Sequence, residues 1–149
     1  MFEILNPVGI LVAAIVGYVI GMAWYSPLLF MKPWLAGLGK TQGEFSKPQE
    51  HKTKKYMLSL MAYTFVITVV VAFMLDLFVN LTGATTFLEI LQISMLLAFG
   101  FIVTTKFTDM LYTVDKPFWG IQAQKLFFVN AGYYIAMFLA MAAVLYYLG

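Results

Sequence analysis

The chain has 149 residues, of which 62% are hydrophobic and 11% charged, with a net charge of +2 carried by nine lysines and no arginine. Soluble domains carry about a quarter charged residues, so this composition excludes an ordinary water-soluble globule and points to one small membrane bundle that uses the whole length. The small positive excess argues against nucleic acid as a partner, and the lack of cysteine excludes disulfides, zinc–thiolate sites and cysteine nucleophiles.

The N-terminus, Met1-Phe2-Glu3, lacks the basic region of a signal peptide, so the first apolar segment is expected to stay in the mature protein. A membrane helix needs about 20 mostly apolar residues. The first span runs from about Val8 to Tyr25 and carries Gly9, Ala13, Gly17 and Gly21 at consecutive i+4 steps. Small residues allow close backbone approach in lipid, so this stripe is read as a packing face. The span ends in Trp24, Tyr25 and Pro27, followed by Lys32 and Trp34. Amphipathic rings suit the headgroup level, proline ends a helix, and lysine reaches back to water, so these residues are expected to be interfacial anchors.

A loop over about 31–56 holds most of the lysines and the single histidine, His51, which has no companion ligand and predicts no metal site. The second span, Met57 to Leu75, is free of charge and offers Thr64, Thr68 and Ala72 as a second small face. Asp76 and Asn80 follow it. The short connection Asn80–Thr86 contains the triplet Asn80-Leu81-Thr82, a weak glycosylation match close to the bilayer. The third span, Phe87 to Tyr112, contains Glu89, Gln92, Lys106 and Asp109 near its ends. Asp115-Lys116-Pro117-Phe118-Trp119 then repeats the Lys-Pro-aromatic element, with Trp119 a further interfacial anchor. The fourth span, Leu126 to Leu148, carries Asn130 as its one strongly polar residue and Gly132, Ala136 and Ala140 as another i+4 small stripe.

Four spans place all nine lysines on one side. The positive-inside rule makes that side cytoplasmic and leaves both termini outside. The expected fold is therefore all-α: a polytopic membrane protein of four transmembrane helices, arranged as two helical hairpins.

Ionisable and amide groups within spans are functional candidates by default. Asp76, Glu89 and Gln92 form a candidate acidic mouth at the outer end, with plain interfacial residues as the first reading. Lys106 and Asp109, three apart, are expected to form an intrahelical ion pair. Asn130 must find partners if buried, and Thr104, Thr105 or Thr108 are the expected ones. No catalytic residue, metal site or cofactor is assigned.

The residues Gly21-Met22-Ala23-Trp24-Tyr25-Ser26-Pro27, then Phe30 and Lys32-Pro33-Trp34, resemble the opening of the DUF1761 membrane proteins. Phe128-Val129-Asn130-Ala131-Gly132-Tyr133 is similar to that family's later element. Met31 stands where the family tends to have glycine, and Leu88-Glu89 near where it has a His-Gly pair. The resemblance implies a small four-helix integral membrane protein and brings no established activity. Three functions are in play: a small oligomeric transporter or channel-like protein, an accessory subunit of a larger membrane complex, and, third for want of a nucleophile or metal set, a lipid-modifying enzyme. The expected partners are the bilayer and either further copies of the chain or a larger complex.

Overall fold

The computed structural model describes residues 5–46, 53–113 and 120–148. Lys47, His51, Lys52, Lys116 and Trp119 lie outside the described residues. Helices are α1 (Pro7–Trp24), α2 (Met31–Gly37), α3 (Gln42–Ser46), α4 (Lys54–Thr82), α5 (Phe87–Leu97), α6 (Thr104–Thr113) and α7 (Ile121–Leu148). A π-helical segment, Ala98–Val103, joins α5 to α6, so the third span is one rod with a local widening. No strand occurs among the described residues.

Four helices are long and apolar enough to cross a membrane: Pro7–Trp24, Lys54–Thr82, Phe87–Tyr112 and Ile121–Leu148. The second is longer than its charge-free run, because α4 continues through Asp76 and Asn80 to Thr82. The chain is a multi-pass membrane protein of all-α architecture.

Local sequence sets the helix ends. Asn6 caps α1, its Oδ1 accepting from Val8 N at 3.1 Å and Gly9 N at 3.0 Å, with Pro7 in the first turn where its missing N–H costs nothing. At the other end Pro27 stops the helix, and Ser26 Oγ donates to the Ala23 carbonyl at 2.7 Å. Gly83 has φ of 68° and closes α4: its N–H reaches the Asn80 carbonyl at 3.2 Å and the Ala84 N–H reaches Val79 at 3.2 Å. That paired reversal needs the left-handed backbone that glycine adopts without a Cβ penalty. Thr86 and Glu89 form a capping box at the start of α5.

The four spans run alternately up and down. Two hairpins result, α1 with α4 and the third span with α7, and they join through an extensive α1–α7 contact. The Asn6 side-chain amide donates to the Leu148 carbonyl, so the two chain ends meet at one end of the bundle. Lys32, Lys40, Lys54, Lys55, Lys106 and Lys125 belong to the opposite end, called here the lysine end.

At the α1–α7 seam, small residues on one helix receive large ones from the other. A Cβ on Gly17 would meet Met141 Cε at 2.4 Å and Met137 Cγ at 3.0 Å, and one on Gly21 would meet Tyr133 Oη at 3.0 Å. Gly132 leaves room in return for the Trp24 ring, at 3.0 Å. Ala13, Ala14, Ala72, Leu75, Met141 and Ala142 are all buried and close the bundle between its middle and the chain ends. Gly9 differs from Gly17 and Gly21, since the nearest atoms a Cβ there would meet belong to its own cap, Asn6, at 3.3 Å. Ala136 and Ala140 are half-buried and flank the α7 seam, whose buried line is Tyr133, Met137, Met141 and Leu145.

The glycine closest to another helix's backbone lies in none of the i+4 stripes. Gly37, in α2, lies against the α7 backbone: a Cβ would come within 2.8 Å of Leu126 N. Main chain cannot swing aside as the end of Met141 can. Gly37→Ala is therefore expected to lower stability by roughly 1–3 kcal/mol, and Gly17→Ala by less. Gly43→Ala, where a Cβ meets nothing within 4 Å, should be neutral or mildly stabilising through helix propensity. Thermal unfolding of the three variants in one detergent checks the order.

Candidate functional site

Residues of α7 wall two cavities, Tyr133, Tyr134 and Met137 the first, and Leu126, Phe127 and Asn130 the second. The first cavity, about 360 Å³, lies between α1, α4 and α7. It forms because α4 leaves the bundle toward the lysine end: from Lys54 to Thr64 every α4 residue is exposed, whereas Thr68 is buried. Tyr18 of α1 still touches α4, its ring meeting Phe65 edge-on at 5.4 Å and its hydroxyl donating to the Met61 carbonyl at 3.4 Å. The glycine face is what opens the space, since Gly21 lines it beside Tyr25, Tyr133 and Met137. Thr64 and Thr68 line the α4 side. Among the described residues, no charged side chain lines it.

The second cavity, about 220 Å³, lies between α2, α6 and α7 and brings together Trp34, Lys106, Asp109 and Asn130. Lys106 Nζ and Asp109 Oδ2 are 2.8 Å apart, the expected pair, and the ammonium also lies 5.8 Å from the Tyr134 ring centre. Asn130 lines the second cavity and is hydrogen-bonded to a residue of the first. Its Oδ1 accepts from the Tyr25 hydroxyl at 3.0 Å, not from the threonines of the third span. Thr104, Thr105 and Thr108 each donate instead to a carbonyl one turn back, on Gly100, Phe101 and Thr104. A threonine on a helix has that acceptor always in reach, so none was free to find Asn130.

The aromatic residues at the end of α1 face inward more than the interfacial-anchor reading expects. Trp24 Nε1 donates to the Val129 carbonyl at 2.9 Å, and its ring lies 4.4 Å from that of Phe30. Tyr25 stacks edge-on with Trp34 at 5.4 Å and Tyr133 at 5.3 Å. Pro27 and Lys32 are exposed.

At the far end, the three candidates of the acidic mouth separate. Glu89 is exposed and committed to its cap, where Oε2 accepts from the Thr85 and Thr86 N–H groups, each at 3.0 Å. Gln92 is exposed on a different groove, beside Met95, Leu96 and Phe99. Asp76 is buried at 3% exposure, which corrects the expectation that it touches water. The Asn6 main-chain N–H and the Asn80 side chain lie against its carboxyl group, while Oδ2 has no hydrogen-bond partner. Asp76 thus sits at the start of α1, and Asn130 at its end, about 27 Å away for an 18-residue helix. The polar candidates do not share one path within the chain.

Sequence reasoning took Thr64, Thr68 and the α1 glycines as packing and did not foresee that Tyr18 and Tyr133 would face a cavity beside them. The available signal was the placement of Tyr18 and Tyr25 next to Gly17 and Gly21. Among the described residues no group of His, Cys, Asp or Glu is disposed to hold a metal ion.

A buried polar atom without a partner costs roughly 1–3 kcal/mol. Asp76→Asn keeps an acceptor for the Asn6 N–H and removes the ionisable group. It is expected to leave the unfolding midpoint in detergent unchanged or raised, whereas Asp76→Ala should lower it by stranding that N–H. A midpoint for Asp76→Asn as low as that of Asp76→Ala would show that both carboxylate oxygens are needed.

Neither a curated protein nor a solved structure matches the sequence. The pattern of one family, described as a protein of unknown function, matches residues 8–146. That span includes all four apolar helices nearly end to end, along with the glycine face, the Trp24–Tyr25 turn and the Asn130 wall, so the chain belongs to the DUF1761 family.

Proposed function

We propose that the protein binds a membrane-dissolved small molecule in the cavity between α1, α4 and α7, as a carrier-like rather than a pore-forming protein. The observation that carries this reading is the shape of that seam. It is closed by Ala13, Ala14, Ala72 and Met141 toward the chain ends and open at the lysine end, where α4 stands away from α1. A cavity of about 360 Å³ with a few hydroxyls among apolar walls has the size and character of small-molecule sites. Met22, Met61 and Ile67 line it and are themselves exposed, so its mouth faces the hydrocarbon between α1 and α4. A ligand would enter sideways from the bilayer.

A pore through a single chain lacks this kind of support, because Asp76 and Glu89 are separated from the Lys106, Asp109 and Asn130 set. In the proposed orientation the lysine end is cytoplasmic, both termini are outside and the cavity lies in the inner leaflet. The chain has no cysteine, so single-cysteine variants report sidedness directly. A cysteine at Gly43 should be shielded from an impermeant maleimide in intact cells, and one at Thr85 should react. The reverse pattern would invert the orientation.

Native mass spectrometry of protein extracted gently from its own membrane tests the binding role. The expected outcome is a retained non-protein mass, in a monomer or homo-oligomer, that is lost when Thr64→Trp fills the cavity. A stoichiometric foreign subunit with no retained small molecule would replace this reading with that of an accessory subunit.

A further inference from the structure

We propose that the cavity between α1, α4 and α7 selects a neutral ring carbonyl bearing a hydrocarbon tail, the chemistry of a lipid quinone, and that Tyr133 donates the hydrogen bond that recognises it. This rests on the cavity being a ligand site and names the class of molecule it takes.

The inference starts from where the hydroxyl protons on the cavity wall go. Thr64 donates to the Leu60 carbonyl and Thr68 to the Thr64 carbonyl, each at 2.8 Å. Tyr25 donates to Asn130 at 3.0 Å. Tyr18 reaches the Met61 carbonyl at 3.4 Å. These four donors have oxygen acceptors within the fold. Among the wall hydroxyls whose hydrogen bond the structure shows, Tyr133 differs: its hydroxyl donates to the Met137 thioether sulfur, 3.2 Å away. A thioether is a weak acceptor, and Tyr133 is buried at 9% exposure. Its hydroxyl also points into the gap left by Gly21, where a Cβ would stand only 3.0 Å from it. A buried strong donor held by a weak acceptor, on a cavity wall, gains from any ligand oxygen that displaces the sulfur.

The rest of the wall narrows the ligand. Among the described residues no Lys, Arg, His, Asp or Glu lines the cavity, so nothing there balances the charge of a phosphate or ammonium headgroup, and burying an unpaired charge is costly. The ligand head is therefore neutral. Tyr18, Tyr25 and Tyr133 present ring surfaces, and Met22, Met61 and Met137 present polarisable thioethers that adapt to a flat ring. The volume of about 360 Å³ accommodates a substituted ring, with the tail leaving through the lateral mouth. A carbonyl on that ring meets Tyr133, and Met137 turns aside, as its three rotatable bonds permit.

The test is isothermal titration of the full chain in nanodiscs, against empty nanodiscs, with two probes: decylubiquinone and decylbenzene, which has a ring and tail but no oxygen. Saturable binding of decylubiquinone is expected, weakened roughly five- to tenfold in Tyr133→Phe and retained or tightened in Met137→Leu, which removes the competing sulfur. Decylbenzene should bind more weakly and be indifferent to Tyr133→Phe. Equal binding of the two probes, insensitive to Tyr133→Phe, would overturn the carbonyl inference and leave the cavity as a ligand site. Absence of saturable binding for both probes, together with a native mass unchanged by Thr64→Trp, would overturn the binding reading itself. A loss confined to Met137→Leu would show that sulfur, not the phenol, makes the contact.

Discussion

Helices α1 and α7 approach closely because glycine on one faces methionine and tyrosine on the other. Gly17 accommodates Met141 and Met137, and Gly21 accommodates Tyr133. In lipid there is little hydrophobic drive to bring helices together, so packing of this kind has to supply the association. Once α1 and α7 are joined, each hairpin has a place: α4 lies on α1, and the third span lies on α7. The chain ends are pinned together by the Asn6 amide on the Leu148 carbonyl. Without the glycines the side chains of α7 would hold the helices apart, and the cavity wall would have no fixed shape.

The same contact explains why the cavity occurs at one end only. Toward the chain ends the helices meet through alanines and are filled by Leu75, Met141 and Leu145, leaving no room. Toward the lysine end α1 offers Gly21 and then the Trp24–Tyr25 turn, while α4 moves out and presents Thr64 and Thr68. The large rings that follow do not refill the gap, because Trp24 is drawn onto Gly132 and the Val129 carbonyl, and Tyr25 onto Asn130. The aromatic residues that the sequence suggests as interfacial anchors thus bolt the end of α1 to α7. The α2 helix adds to that junction by laying Gly37 on the backbone of Leu126.

Asp76 contrasts with this well-satisfied region. Its carboxyl lies near the start of α1, where the unpaired N–H groups and the helix dipole favour a negative or accepting group. Glu89, four residues of connection away from α4, is wholly engaged in capping α5. Two carboxylates that are close in sequence therefore end in different environments, one buried in a seam and one at an exposed helix terminus.

Hydropathy is a local property, so the four spans, their alternating direction, the hairpins and the gathering of lysines at one end are legible in the amino-acid sequence. Helix ends also rest on local signals, since Asn6, Pro27, Gly83 and the Thr86–Glu89 pair act on backbone groups within one turn of themselves, although of these only Pro27 marks an expected helix end, and the expected second span stops at Leu75, short of Thr82. What depends on how one helix is rotated against another is not legible there. An i+4 stripe shows that a face is small but not what will fill it, so Gly9 turned toward its own cap, while Gly37, in no stripe, made the closest approach to another backbone. Asn130 needed a partner, and only the tertiary arrangement decided between the threonines of the third span and Tyr25. The cavity, the weakly held Tyr133 hydroxyl and the burial of Asp76 arise from the angle at which α4 leaves α1 and from the meeting of chain ends, which are relations between distant residues that no local pattern encodes.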